Sequence, residues 1–157
     1  MKKKQNFKKE KSIDKDSNDD MIKAKIKNFQ EILKEYNVTE PNLTPKMVLD
    51  KMTEHLEYYI KIVIQLLQPE EFHSLQECTM FDDKDKAEMF EIYKNMMILH
   101  REMMKSHVRN DDKDIIATIQ YAHSEMKKLK PQILKILQKM QESWKITGTN
   151  GKIRYFG

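Results

Sequence analysis

FDDKDKAEMFEIYKNMMILHREMMKSHV, residues 81–108, is the stretch whose reading decides the fold. Asp82 and Asp83 open it. An aspartate at this place accepts a hydrogen bond from the free amides of a first helical turn, and its charge suits the positive end of the helix dipole. Behind them Met89, Tyr93, Met96, Leu99, His100, Met103 and His107 recur every three or four residues, which is one face of a helix. Lys86, Glu91, Lys94, Arg101, Glu102 and Lys105 fall mostly on the other side, as a solvated face requires. Five of the chain's twelve methionines lie here, beside two histidines. A helix of this kind cannot bury its stripe alone, so the neighbouring segments must supply partners.

They do. Upstream, Thr44-Pro45 pairs an N-cap residue with proline at the first helical position, and the next helix is expected over about 45–67. Its stripe of Val48, Met52, Leu56, Tyr59, Val63 and Leu66 is widened by Ile60, Ile62, Ile64 and Leu67, which marks it as the central helix. Gln68-Pro69-Glu70-Glu71 restarts a short element that ends near Cys78. Downstream, Asn110-Asp111-Asp112 breaks and caps, and the last helix is expected over about 113–144. Ile115, Ile119, Ala122, Met126, Leu129, Ile133, Leu137, Met140 and Trp144 hold its face. Pro131 lies inside it and predicts a kink rather than a break, because the stripe keeps phase across it.

A further amphipathic helix is expected over 21–36, with Ile22, Ile26, Phe29, Leu33 and Tyr36 at heptad-like spacing and Asn37–Pro45 as the linker behind it. Residues 1–20, rich in both charges and poor in apolar side chains, read as a disordered lysine-rich tail. Residues 145–157 change character: Asn150-Gly151 between β-branched and aromatic residues is a hairpin signal. The fold class is therefore all-α, an antiparallel helical bundle of three long helices and a shorter N-terminal one. The bundle domain spans 21–144, with the tail before it and the hairpin after it.

Composition excludes more than it assigns. Only three glycines occur, Gly148, Gly151 and Gly157. A phosphate-cradling P-loop or dinucleotide turn needs glycine where backbone amides approach the ligand, so no nucleotide partner is expected. The formal charge of +4 sits at the ends. Residues 21–144 are close to neutral and the chain has three arginines, so nucleic-acid binding is expected to be weak and confined to the lysine-rich ends, as in RNA or ribosome association. Cys78 is the lone cysteine, which excludes an intramolecular disulfide and a cysteine-based zinc site. The longest apolar patch, residues 58–67, is too short to cross a bilayer, and residues 1–20 show no signal-peptide core. A cytoplasmic protein without a membrane partner is expected.

No catalytic constellation stands out. The serines lack a glycine-bearing elbow, and Ser106-His107 and His123-Ser124 are adjacent pairs that point apart on a helix. Glu70-x-x-His73 has the spacing of di-iron bundles, which need it twice, and no second copy exists. The remaining readings are three, none of them requiring a cofactor. The first is a non-enzymatic interaction module, adaptor or structural, that binds a protein partner or a second copy of itself. Its candidate surfaces are Ile22, Ile26, Phe29, Leu33 and Tyr36, the methionine-rich face, and the aromatic-basic end formed by Trp144, Arg154, Tyr155 and Phe156. The second is a soft-metal site in which Met96, His100, Met103 and His107 offer the thioether and imidazole donors that suit Cu(I). The third is the RNA association of the ends.

Overall fold

The computed structural model describes residues 29–39 and 43–147, and every regular element in them is a helix. They are α1 (Phe29–Glu35), α2 (Pro45–Leu67), α3 (Phe72–Cys78), α4 (Asp83–Arg109) and α5 (Asp112–Thr147). No helix among them is long and apolar enough to cross a membrane. The expected tail 1–20, residues 21–28 of the first helix and residues 148–157 of the expected hairpin lie outside the described residues, while residues 145–147, expected in that hairpin, continue α5 as helix.

The ends of the helices follow from side-chain chemistry. Thr44 accepts a hydrogen bond from the Met47 amide at 3.3 Å, with Pro45 in the first turn of α2 where its missing N–H costs nothing. Asp82 accepts from the Asp85 amide at 2.8 Å while the Asp85 carboxylate accepts from the Asp82 amide at 3.1 Å, a reciprocal capping box at the start of α4. At the start of α5 Asp111 accepts from the Asp114 amide at 3.0 Å, without the reciprocal bond.

Two helices stop on asparagine. Asn37 and Asn110 both have φ of 53°, left-handed backbone that most helices reach with glycine. After α1 the Val38 amide reaches back to the Leu33 carbonyl at 2.9 Å and the Asn37 amide to that of Lys34 at 3.5 Å. This pairing closes the last carbonyls, and it places Val38 beside Leu33. The segment 37–45 thus begins as a built helix stop rather than as a plain linker.

Two boundaries differ from expectation. α3 begins at Phe72, so Glu71 stands at the N-cap position, without a side-chain cap bond, and Glu70 lies outside the helix. His73 accordingly meets Glu71, at 3.1 Å, instead of Glu70. α5 runs unbroken from Asp112 to Thr147 through Pro131. The proline offers no N–H to the Lys127 carbonyl, and the Gln132 side chain donates to the next carbonyl, that of Lys128, at 3.1 Å.

The three long helices each touch the other two. His100 pairs with Glu57 and His107 with Asp50, so seven residues forward on α4 is seven back on α2. Asp85–Lys139 and Arg109–Asp114 reverse α4 against α5 in the same manner. Between them lies the core: Val48, Leu49, Met52, Leu56, Val63 and Leu66 from α2; Met89, Met96, Leu99 and Met103 from α4; Ile115, Ile119, Ala122, Met126, Leu129 and Ile133 from α5. α2 is buried at adjacent pairs such as Val48-Leu49 and Ile62-Val63, which one-sided helices are not; it has neighbours on two sides. At the far end of α5 the stripe loses phase: Ile136 is buried where Leu137 is only partly so, and Trp144 is exposed with its Nε1 donating to Glu77 at 2.7 Å.

α1 closes one outer seam. Ile32, Tyr36 and Val38 are buried in the same core. The Tyr36 ring meets His55 of α2 and His123 of α5 edge-on, at centroid distances of 5.2 and 6.1 Å. Its hydroxyl lies 3.6 Å from the Met126 sulfur. Burial pushes this phenol far above its ordinary value, with the Glu35 charge adding to the effect.

Candidate functional site

Three long helices leave an outer seam between each pair, and the seams differ. Between α2 and α4 lie the pairs His100 Nε2–Glu57 Oε1 at 3.1 Å and His107 Nε2–Asp50 Oδ1 at 3.4 Å. Against α2 and α5 lie α1, near His55 and His123, and α3, near Leu66 and Trp144. The seam between α4 and α5 has no third element over it among the described residues.

That seam is a groove in two connected parts. The larger, about 660 Å³, is floored by Phe81, Met89, Ile92 and Ile136. The smaller, about 260 Å³, lies between Leu99 and Leu129 with Ile98 and Tyr121 at its mouth. Asn95 and Gln132 line both. From Tyr121 to Lys139 the groove follows α5 for roughly 27 Å at 1.5 Å per residue. Lys139 shapes one end: its ammonium stands 5.2 Å over the Phe81 ring and pairs with Asp85. That ammonium holds the Asp85 carboxyl below the usual carboxylate range, and the Asp82 amide assists. At the other end Ile98 is 59% exposed and Tyr121 48%, large apolar surface left facing water.

The residues singled out in the sequence are distributed otherwise. Met96 and Met103 are fully buried in the core, pointing away from any outer partner. His100 and His107 lie at the α2–α4 seam, each on a carboxylate. Leu33 is partly buried against the core and Tyr36 fully, so this side of α1 is covered within the chain. Trp144 is bonded to α3 through Glu77. Ile22, Ile26, Arg154, Tyr155 and Phe156 lie outside the described residues, as does the side chain of Phe29.

Comparison with protein-family models, with curated proteins and with solved structures finds no match. Function therefore rests on geometry alone.

The outer lysines of α5 are mostly accounted for. Lys127 pairs with Glu31 at 2.5 Å, Lys130 with Glu35 at 3.0 Å, Lys128 with Glu125 at 2.6 Å, and Lys139 with Asp85. Acids from α1, α4 and α5 itself largely neutralise this face.

Two features escape a stripe-by-stripe reading. The groove is one, because a seam between helices is a property of their packing and not of either sequence. The other is a polar cluster under α1. Glu31 and Glu35 stand four residues apart, hence on one face, and the buried His123 of α5 lies against them, its Nδ1 3.8 Å from Glu35 Oε2. The Glu31/Glu35 spacing is visible in the sequence; that it meets His123 is not.

Proposed function

We propose that this chain is an antiparallel helical bundle acting as a non-enzymatic, cytoplasmic protein-interaction module, which receives an amphipathic helix of another chain in the α4–α5 groove. The observation that carries the reading is the groove itself, apolar at its floor, about 27 Å long, and ending in exposed Ile98 and Tyr121. The chain supplies its own precedent. In the α2–α5 seam an apolar channel is filled by α1 and the turn that follows it, which insert Ile32 and Tyr36. A helix with apolar residues at i, i+3, i+4 and i+7 would seat in the empty seam by the same rule. Met89 in the floor adapts to side chains of different shape. The mixed rim, with Lys84, Glu88, Glu91 and Lys135, suits a partner helix that carries both charges on its edges.

The test places a photo-crosslinking side chain at Asn95, midway along the groove, in the full-length protein expressed in cells. Crosslinked product is expected there and not from Lys113 at the exposed start of α5, and Ile98→Glu should abolish it. The mass of the product separates a second copy from a different protein. Equal yields at Asn95 and Lys113, or a yield indifferent to Ile98→Glu, would overturn the proposal.

A further inference from the structure

The cluster beneath α1 has a composition that ion pairing does not use up. His123 is buried, its side chain 7% exposed, and neither ring nitrogen has a hydrogen-bond partner. Buried imidazole nitrogens are ordinarily bonded. Nδ1 faces Glu35 Oε2 across 3.8 Å, too far for a hydrogen bond. One donor atom each from Glu31, Glu35 and His123 lies within 4.8 Å of the other two. Donors that share an ion at roughly 2.0–2.2 Å stand roughly 3.4 Å apart in a tetrahedral arrangement. Closing the difference calls on new rotamers of the two glutamate side chains.

We propose that Glu31, Glu35 and His123 form a binding site for one divalent cation of the zinc class, which clamps α1 onto α5. The donor set decides the class. Two carboxylates with one imidazole suit Zn²⁺ and its neighbours, whereas Mg²⁺ and Ca²⁺ take oxygen ligands throughout. The protonation states agree. Burial, with Lys127 nearby, pushes the His123 imidazole below its ordinary value, so it is the neutral ligand form at neutral pH. The Lys127 ammonium holds Glu31 below the carboxylate range.

The site is graded from wet to dry. Glu31 is half-exposed, Glu35 is mostly covered and His123 is enclosed. A cation enters from the Glu31 side and keeps water on that side as its remaining ligands. Lys127 and Lys130 hold the carboxylates in the ion-free form, and both side chains are about half-exposed, free to swing into solvent. They are competitors of the metal, and this separates the proposal from a plain ion-pair network.

The probe is Zn²⁺ alone, titrated calorimetrically into the full chain and counted by native mass spectrometry. One ion per chain is expected, undisplaced by millimolar Mg²⁺. Glu35→Gln should weaken binding by about 100-fold or more, above the roughly 10–100-fold typical of an outer-shell change. Lys130→Gln should lower the thermal stability of the ion-free protein yet tighten Zn²⁺ binding, a pair of opposite signs that a structural salt bridge does not produce. Zn²⁺ should also slow amide exchange in α1, and circular dichroism confirms that each variant is folded. Should His123→Gln fail to fold, Glu35→Gln and Lys130→Gln still decide. Absence of a bound ion, equal affinity in wild type and Glu35→Gln, or a loss that follows His100→Ala instead would overturn the assignment; the last would move the ion to the α2–α4 seam.

Discussion

Replacing Tyr36 by alanine tests how α1 is held. In the described residues α1 reaches the core through Ile32, Tyr36 and Val38, and Tyr36 is the largest of them at 2% exposure. An aromatic side chain that buries roughly 150–250 Å² contributes about 4–6 kcal/mol at roughly 25 cal/mol per Å². Measured Phe→Ala losses in cores, about 3–5 kcal/mol, agree with that figure. The three long helices pack on one another without Tyr36, so the loss is expected in the local opening of α1. At about 1.4 kcal/mol per factor of ten, amide exchange in α1 should accelerate by roughly two to four powers of ten. Amides at the centre of α4, near Met96, should keep their protection to within about tenfold. The assay is native-state hydrogen exchange resolved by residue, with Tyr36→Phe as control. That variant keeps the ring and loses only a hydroxyl on a weak sulfur acceptor, so it should cost less than about 1 kcal/mol. Unchanged exchange in α1 would refute the anchoring role. Equal loss of protection in α1 and α4 would refute the local opening and make α1 part of one cooperative core.

Acid should destabilise the protein in two steps. His123, faced by Glu31, Glu35, Lys127 and Tyr36, has its folded-state value below the ordinary 6.5 because burial disfavours its charge. The unfolded chain therefore binds the proton first, and stability that is full above pH 6.5 falls as pH drops below it. Asp85, held low by Lys139, and Glu31, held low by Lys127, add a second loss below their ordinary 3.8 and 4.5, because the carboxylate form is the one the fold favours. Urea midpoints measured from pH 8 to pH 3 should show both, and His123→Gln should remove the upper step alone; an upper step that survives in this variant assigns it elsewhere. Pro131→Ala should raise the melting temperature, since the exposed position gains a backbone hydrogen bond and loses a clash, worth up to about 3 kcal/mol. No rise in calorimetry would show that α5 has already absorbed the proline without cost.

How far the sequence could be read depended on how local each feature is. The N-cap at Asp82, the Thr44-Pro45 start and the stripe through Met89, Met96, Leu99 and Met103 are set by neighbours within one or two turns, and they are legible in the sequence, though Asp85 and not Asp83 completes the cap. The asparagine stops were half legible: Asn37 and Asn110 stand where glycine is usual, in a chain whose first glycine is Gly148. The sequence places α3 a turn early, because Pro69 and two glutamates form a valid helix start that the fold does not use. The ion pairs of the α5 lysines are hidden for a related reason. The lysine charges are visible in one segment, while Glu31, Glu35 and Asp85, the acids that answer them, lie about 55 to 95 residues away in sequence. Nothing in the spacing of either segment reports the pairing.

The same distinction orders the candidate sites. Methionine and histidine on one helix face suggest a soft-metal site as long as that helix is considered alone. Packing then sends Met96 and Met103 inward and gives His100 and His107 a carboxylate each. His123 reads as an unremarkable histidine on a long helix, yet it is buried with both nitrogens unbonded beside two glutamates of another helix. A ligand site needs donors that converge and are not already satisfied, and both conditions belong to tertiary structure. The groove obeys the same logic with apolar groups: Phe81 precedes α4, Met89 and Ile92 lie on α4 and Ile136 lies on α5, and only the seam between α4 and α5 makes them one surface. In this chain the two seams with functional character are therefore the one that α1 fills, where a cation would strengthen the closure, and the one left open, where a helix from another chain would complete it.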